Sequence, residues 1–286
     1  MVTLKLNGYK FYYKKYKSSA PSRSPVFIFN GIMQNTNTWK KYIKYFIDSS
    51  DVILADLPGA GKADTIKTTE FNLEELADYA NFIVEDVKTD KIDIISASYG
   101  SGIAYAFSKK FPGKVNHLFI AGTVSKLNSK LKKKIEKSIE YLKSKKMESF
   151  ANQIVEILLN KKFNDRIGKF DVVERLVNSQ FRKLSYDESE KYIINANHLL
   201  KHPEINVALS PKIKKLVITG EYDILSELNE VRNVASKLTN CRFTTIKNAD
   251  HLFHLEQLEV TLNLIREFFR DRPLETVHGI NPIECY

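Results

Sequence analysis

Ile94-Ile95-Ser96-Ala97-Ser98-Tyr99-Gly100-Ser101-Gly102 is an apolar run that breaks into small residues, and an apolar helical pattern through Ala104 and Phe107 follows it. A strand, a sharp turn and a helix in that order hold the residue at the turn on a strained backbone with its side chain exposed. Ser98 occupies that position. Residues two before and two after it must be small, because strand and helix pass close together there; Ser96 and Gly100 meet the need. The usual pattern at such a turn is G-x-S-x-G, and here serine stands in place of the first glycine. Taken alone the turn also admits a packing explanation, since Ser and Gly are common where a strand enters a helix.

Other short apolar runs lie on either side: Val26 to Phe29, Val52 to Leu54, Ile92 to Ile95, His117 to Ala121, Leu216 to Ile218 and Phe243 to Ile246. Runs of this length suit strands buried on both faces of a parallel sheet. Val2 to Leu6 and Tyr9 to Tyr13 read as an edge hairpin around Asn7-Gly8, a strong two-residue turn signal. Amphipathic stretches separate the runs. In one, Leu76, Tyr79, Ile83 and Val87 share a face and Asn72 can cap the start; a last helix is expected from about Glu256 to Phe269. The pattern predicts an α/β fold with right-handed crossovers, a mostly parallel eight-stranded sheet and helices on both faces.

From Val124 to about Pro211 the strands stop. Helical faces replace them: Leu131/Ile135/Ile139/Leu142, Phe150/Ile154/Ile157/Leu158 and Tyr192/Ile193/Ala196/Leu199. The expected organisation is a core over 1–123 and 212–286 with a helical cap, 124–211, inserted between two of its strands. Glycines 31, 59, 61, 100, 102, 122 and 220 closely follow expected strands, where ligands of open α/β sheets bind.

Two further pieces complete a site. Gly220-Glu221-Tyr222-Asp223 puts a carboxylate just past one strand, and Asn248-Ala249-Asp250-His251 puts an imidazole just past the last long one. A serine hydroxyl is a poor nucleophile at neutral pH and needs a base to take its proton. His251 suits that task, with Asp223 fixing its tautomer and stabilising its charged form. Backbone N–H groups of Tyr99 and Ile32, with Met33 a second choice to Ile32, are the expected donors to a developing oxyanion. Rival residues read as structural. His254 belongs to the following helix, Glu221 points elsewhere on a turn, Asp93 lies inside a strand, and His198 and His202 show metal-compatible spacing without a third ligand.

The order Ser98, Asp223, His251, with the segments Asn30-Gly31, Asp56-Leu57-Pro58-Gly59-Ala60-Gly61 and Ala249-Asp250-His251-Leu252-Phe253-His254-Leu255-Glu256, resembles the α/β-hydrolase superfamily over nearly the whole chain. That resemblance implies an ester- or thioester-cleaving serine enzyme. A narrower likeness is to the rhamnolipid-pathway acyltransferases, the 3-(3-hydroxyalkanoyloxy)alkanoate synthases. Ser96-Ala97-Ser98-Tyr99-Gly100 and Asn30-Gly31-Ile32-Met33 carry it. It implies acyl transfer from a 3-hydroxyacyl thioester with no metal or organic cofactor. Gly31, Met33 and Leu225 are the expected substrate contacts.

The 286 residues are 43% hydrophobic, enough for a sizeable core, and 11 glycines with 8 prolines exclude collagen-like material. No stretch resembles a signal-peptide core or a membrane span, and Cys241 and Cys285 form no disulfide framework, so a cytoplasmic protein is expected. Net charge is +10, but no nucleic-acid motif accompanies it. Nine lysines fall between Lys126 and Lys146 around an apolar stripe. They read as a solvated helix face, or as a dock for an acyl carrier protein, the phosphates of coenzyme A or an anionic membrane surface. The competing functional class is a non-catalytic or slow-turnover ligand binder on the same scaffold.

Overall fold

The computed structural model describes residues 1–68, 71–123, 126–201 and 209–286. The strands are β1 (Val2–Leu6), β2 (Tyr9–Tyr16), β3 (Val26–Phe29), β4 (Val52–Asp56), β5 (Ile92–Ala97), β6 (Val115–Ala121), β7 (Lys214–Gly220), β8 (Cys241–Ile246) and β9 (Glu284–Cys285). They form one sheet in the order β1-β2-β4-β3-β5-β6-β7-β8-β9, and the five pairings from β4/β3 through β7/β8 are parallel. Among the described residues the sheet therefore has nine strands rather than the expected eight. β9 is two residues long, pairs antiparallel with β8, and carries no periodicity from which to read it. Asn7 and Gly8, at φ 50° and 84°, make the hairpin turn between β1 and β2.

The central strands bury both faces by simple alternation. Phe27 and Phe29 of β3 join one apolar cluster, and Val26 and Ile28 join the other. Helices α2 (Leu73–Val87), α3 (Tyr99–Lys110) and α8 (Leu228–Ser236) supply the first cluster; the short α1 (Thr36–Trp39) and α10 (Leu258–Phe269) supply the second. Asn72 caps α2 in a reciprocal box with Glu75. The last helix is split. Phe253–Glu256 forms one turn, α9, before Gln257 at φ −127° and ψ 54° leaves helical geometry and α10 begins.

Among the described residues between β6 and β7 lie four α-helices: α4 (Ser129–Lys143), α5 (Met147–Leu158), α6 (Phe170–Arg182) and α7 (Tyr186–Lys201). The expected start of this cap, Val124, and His202 lie outside the described residues. The cap has its own apolar cluster, built on Leu131, Ile135, Phe150, Ile154 and Tyr192. Ile32, Met33, Tyr222, Leu225 and Leu252 from loops and turns at the carboxyl edge of the sheet, with Leu255 of α9, pack against that cluster. The cap is thus seated on the loops where the sequence puts its chemistry. Among the described residues no helix is long and apolar enough to cross a membrane.

Candidate active site

β5 ends and α3 begins at Ser98, whose φ of 51° and ψ of −118° are a conformation that L-residues rarely adopt. Its N–H donates to the Ala121 carbonyl at 2.8 Å, anchoring the turn to β6. A Cβ on Gly100 would lie 2.4 Å from the Phe29 carbonyl oxygen, so only glycine lets α3 approach β3 this closely. Ser96 explains the departure from G-x-S-x-G. It is fully buried, and its hydroxyl donates to the Phe119 carbonyl at 2.8 Å.

His251 Nδ1 stands 3.0 Å from Asp223 Oδ2. The carboxylate can only accept, so Nδ1 carries the proton and Nε2 is left with its lone pair. Asp223 is itself held on every side. Thr219 Oγ1 donates to Oδ2 at 2.7 Å, and the N–H groups of Leu225 and Ser226 donate to Oδ1 at 2.9 and 2.7 Å. Burial alone would pull the His251 pKa down; the Asp223 charge and hydrogen bond outweigh it, with Asp250 and Glu256 adding, and the net shift is upward. Gly122, at φ +58°, leaves room for the ring, since a Cβ there would sit 2.8 Å from His251 Cε1.

Ser98 and His251 open onto one cavity of about 690 Å³, lined also by Gly31, Ile32, Met33, Tyr99 and Leu225. Its walls are mostly apolar, with cap residues such as Leu131, Ile135, Ile154 and Val177 on one side, and its lysines are Lys41 and Lys183. No hydrogen bond joins Ser98 Oγ to His251 among the described residues. Such bonds commonly tighten only when substrate is bound. The Ile32 loop is held from below: Asn30 Nδ2 donates to the Ala55 carbonyl at 2.7 Å, and buried Asp56 accepts the N–H groups of Thr36 and Lys62.

His254 is buried and stacks on Trp39 at 5.7 Å, and burial presses its pKa down to about 3, so it is a neutral packing ring. Glu221 accepts the Asn248 N–H away from Asp223. Asp93 bonds His117 at the opposite end of the sheet. His198 Nδ1 lies 3.5 Å from the Tyr99 hydroxyl, beneath the cavity.

Sequence reasoning passed over two carboxyls beside His251. Burial pushes Asp250 up to about 6, with Asp223 adding, and pushes Glu256 up to about 8. Glu256 Oε2 accepts the Asp250 N–H at 2.6 Å. Both lie in the quoted motif around His251, but their burial is set by the tertiary fold and not by the neighbouring residues.

An elbow serine, a histidine and a carboxylate at three strand ends under a helical cap define a scaffold shared by many hydrolytic and acyl-transferring enzymes. A family model described as the alpha/beta hydrolase fold matches residues 24–258, and the chain belongs to that family. The (R)-3-hydroxydecanoyl-ACP:CoA transacylase of Pseudomonas aeruginosa is 19% identical over 98% of this chain and 92% of its own length. Among solved structures, an α/β hydrolase enzyme from a Medee basin deep-sea metagenome library superposes with a TM-score of 0.83 at 20% identity, over 94% of this chain and 97% of that one. A thermophilic esterase from Thermogutta terrifontis gives 0.78 at 22%, over 94% and 96%. These structural likenesses concern the fold.

Proposed function

We propose that this protein is a serine-dependent acyl hydrolase or acyltransferase acting on a carboxylic ester or acyl thioester. The observation that carries the reading is the Asp223–His251 pair beside a strained Ser98 at the floor of an apolar cavity. Ser98 Oγ attacks the carbonyl carbon while His251 Nε2 takes its proton. The N–H groups of Ile32 and Tyr99 receive the oxyanion. Collapse expels the thiolate or alkoxide, which takes the proton from His251, and leaves an acyl ester on Ser98. Water or an alcohol, deprotonated by the same histidine, then releases the acyl group. Gly31, Met33 and Leu225, which line the same cavity as Ser98, are the proposed contacts of the acyl group.

A volume of about 690 Å³ is in the range of small-molecule sites, and the lining favours a medium or long chain. The relative named as a hydroxydecanoyl-ACP:CoA transacylase supports a thioester on acyl carrier protein or coenzyme A. Exposed Lys126, Lys130, Lys133 and Lys137 on and beside α4 offer such a carrier a basic surface. Both cysteines are free thiols, in keeping with a cytoplasmic setting.

A series of acyl thioesters from acetyl to dodecanoyl tests this. kcat/KM should rise with length by at most about fourfold per methylene, the equivalent of roughly 0.8 kcal/mol. A flat or falling series contradicts the apolar site, and no turnover of any member favours a ligand-binding protein on this scaffold. In the same assay, added salt should slow carrier-protein thioesters and leave a small neutral ester unaffected.

A further inference from the structure

Asp250 is fully buried and absent from the cavity wall, yet its carboxylate gathers three backbone N–H groups from three parts of the chain. Oδ2 accepts the N–H of Asn160, in the cap just after α5. Oδ1 accepts the N–H of Ile224, beside Asp223, at 3.3 Å and the N–H of His251 itself at 2.8 Å. The cap grips the same two loops elsewhere. Asn160 Nδ2 donates to the Tyr222 carbonyl at 2.9 Å, Phe163 stacks on the Tyr222 ring at 4.8 Å, and the Gly168 N–H donates to the Asn248 carbonyl at 2.8 Å.

We propose that Asp250 is a positioning residue that couples seating of the cap to alignment of the base. Its carboxylate ties Asn160, the Asp223 loop and the backbone of His251 together. The inference rests on the triad reading above. Charge-assisted bonds from a carboxylate to backbone N–H groups are among the stronger ones, and a buried carboxylate stripped of a donor is costly. If the cap lifts, Asp250 loses Asn160 and the His251 loop loses a fixed neighbour. A base misplaced by about 1 Å can cost about 100-fold in rate.

Asn160→Pro tests this from the cap side. Leu159 is extended, at φ −124° and ψ 131°, as a residue before proline must be, and Asn160 at φ −87° is about 20° from proline's φ, so proline needs only a small backbone shift while deleting the N–H donor. Asn160→Ala removes only the side-chain bond to Tyr222. With active sites counted by fluorophosphonate titration, Asn160→Pro should lower kcat for a small ester at least tenfold and leave KM within about twofold, because Asn160 does not line the cavity. Asn160→Ala should lose less. Amides at 161–163 and 248–251 should exchange faster in Asn160→Pro. Asp250→Asn keeps the size but removes the charge and turns one of the two accepting oxygens into an NH2 donor that faces a backbone N–H. The ionisable groups facing it are Asp223, His251 and Glu256, so the acid limb of its kcat profile should also move to lower pH. Wild-type kcat per titrated site in Asn160→Pro, beside an inert Ser98→Ala, overturns the coupling and leaves the triad intact. Labelling and turnover persisting in Ser98→Ala instead overturn the triad reading. If Asp250→Asn does not fold, Asn160→Pro decides, since it leaves the core residues untouched.

Discussion

Ser98→Ala should lower kcat/KM toward an acyl thioester by about 10⁴-fold or more and abolish fluorophosphonate labelling, with the fold retained. The anchor of the turn is the Ser98 N–H to Ala121 carbonyl bond, which alanine keeps. No hydrogen bond of the serine hydroxyl to the described protein is lost, so the thermal midpoint should stay within a few degrees. Residual labelling at wild-type rate would show that another residue is the nucleophile. Circular dichroism with the labelling assay separates this outcome from misfolding.

His251→Ala should cost about as much as the serine change, because removing either member disables the unit. His254→Ala should behave in the opposite way. It keeps kcat within about tenfold but lowers stability by about 2–4 kcal/mol, through a cavity beside Trp39 where a buried ring stacks. The pH profile adds a signed check. His251 must be neutral to accept a proton, and the nearby Asp223 charge raises its pKa above the usual histidine range. Activity should therefore fall as pH drops through that raised value. Asp223→Asn should move the fall to lower pH while reducing the plateau by less than either alanine change. Inactivity of His254→Ala with activity in His251→Ala would reassign the base.

What the sequence carried most clearly is what local chemistry decides. The elbow around Ser98, the Asn7-Gly8 turn and the Asn72 cap each depend on a few adjacent residues, and each is in the structure. The strand ends bearing Asp223 and His251 were legible because short apolar runs end abruptly in polar residues. The rest depends on distant partners. β9 exists only because Glu284 and Cys285 meet Phe243 and Arg242 of β8. α6 was harder to read because Val172-Val173 and Leu176-Val177 double its apolar positions, leaving one of each pair exposed. Ser96 departs from the usual glycine, and only the position of the Phe119 carbonyl shows why a hydroxyl fits there. Asp250 and Asn160 are 90 residues apart, and nothing in either neighbourhood announces the other.

Mass spectrometry of the protein quenched during turnover of a decanoyl thioester tests the central claim most directly. The account predicts a mass increase equal to one decanoyl group, mapping to the peptide that contains Ser98, transient in wild type and absent in His251→Ala, which lacks the base. It predicts none in Ser98→Ala. Turnover without any adduct, or an adduct of the same size on another residue in Ser98→Ala, would contradict it.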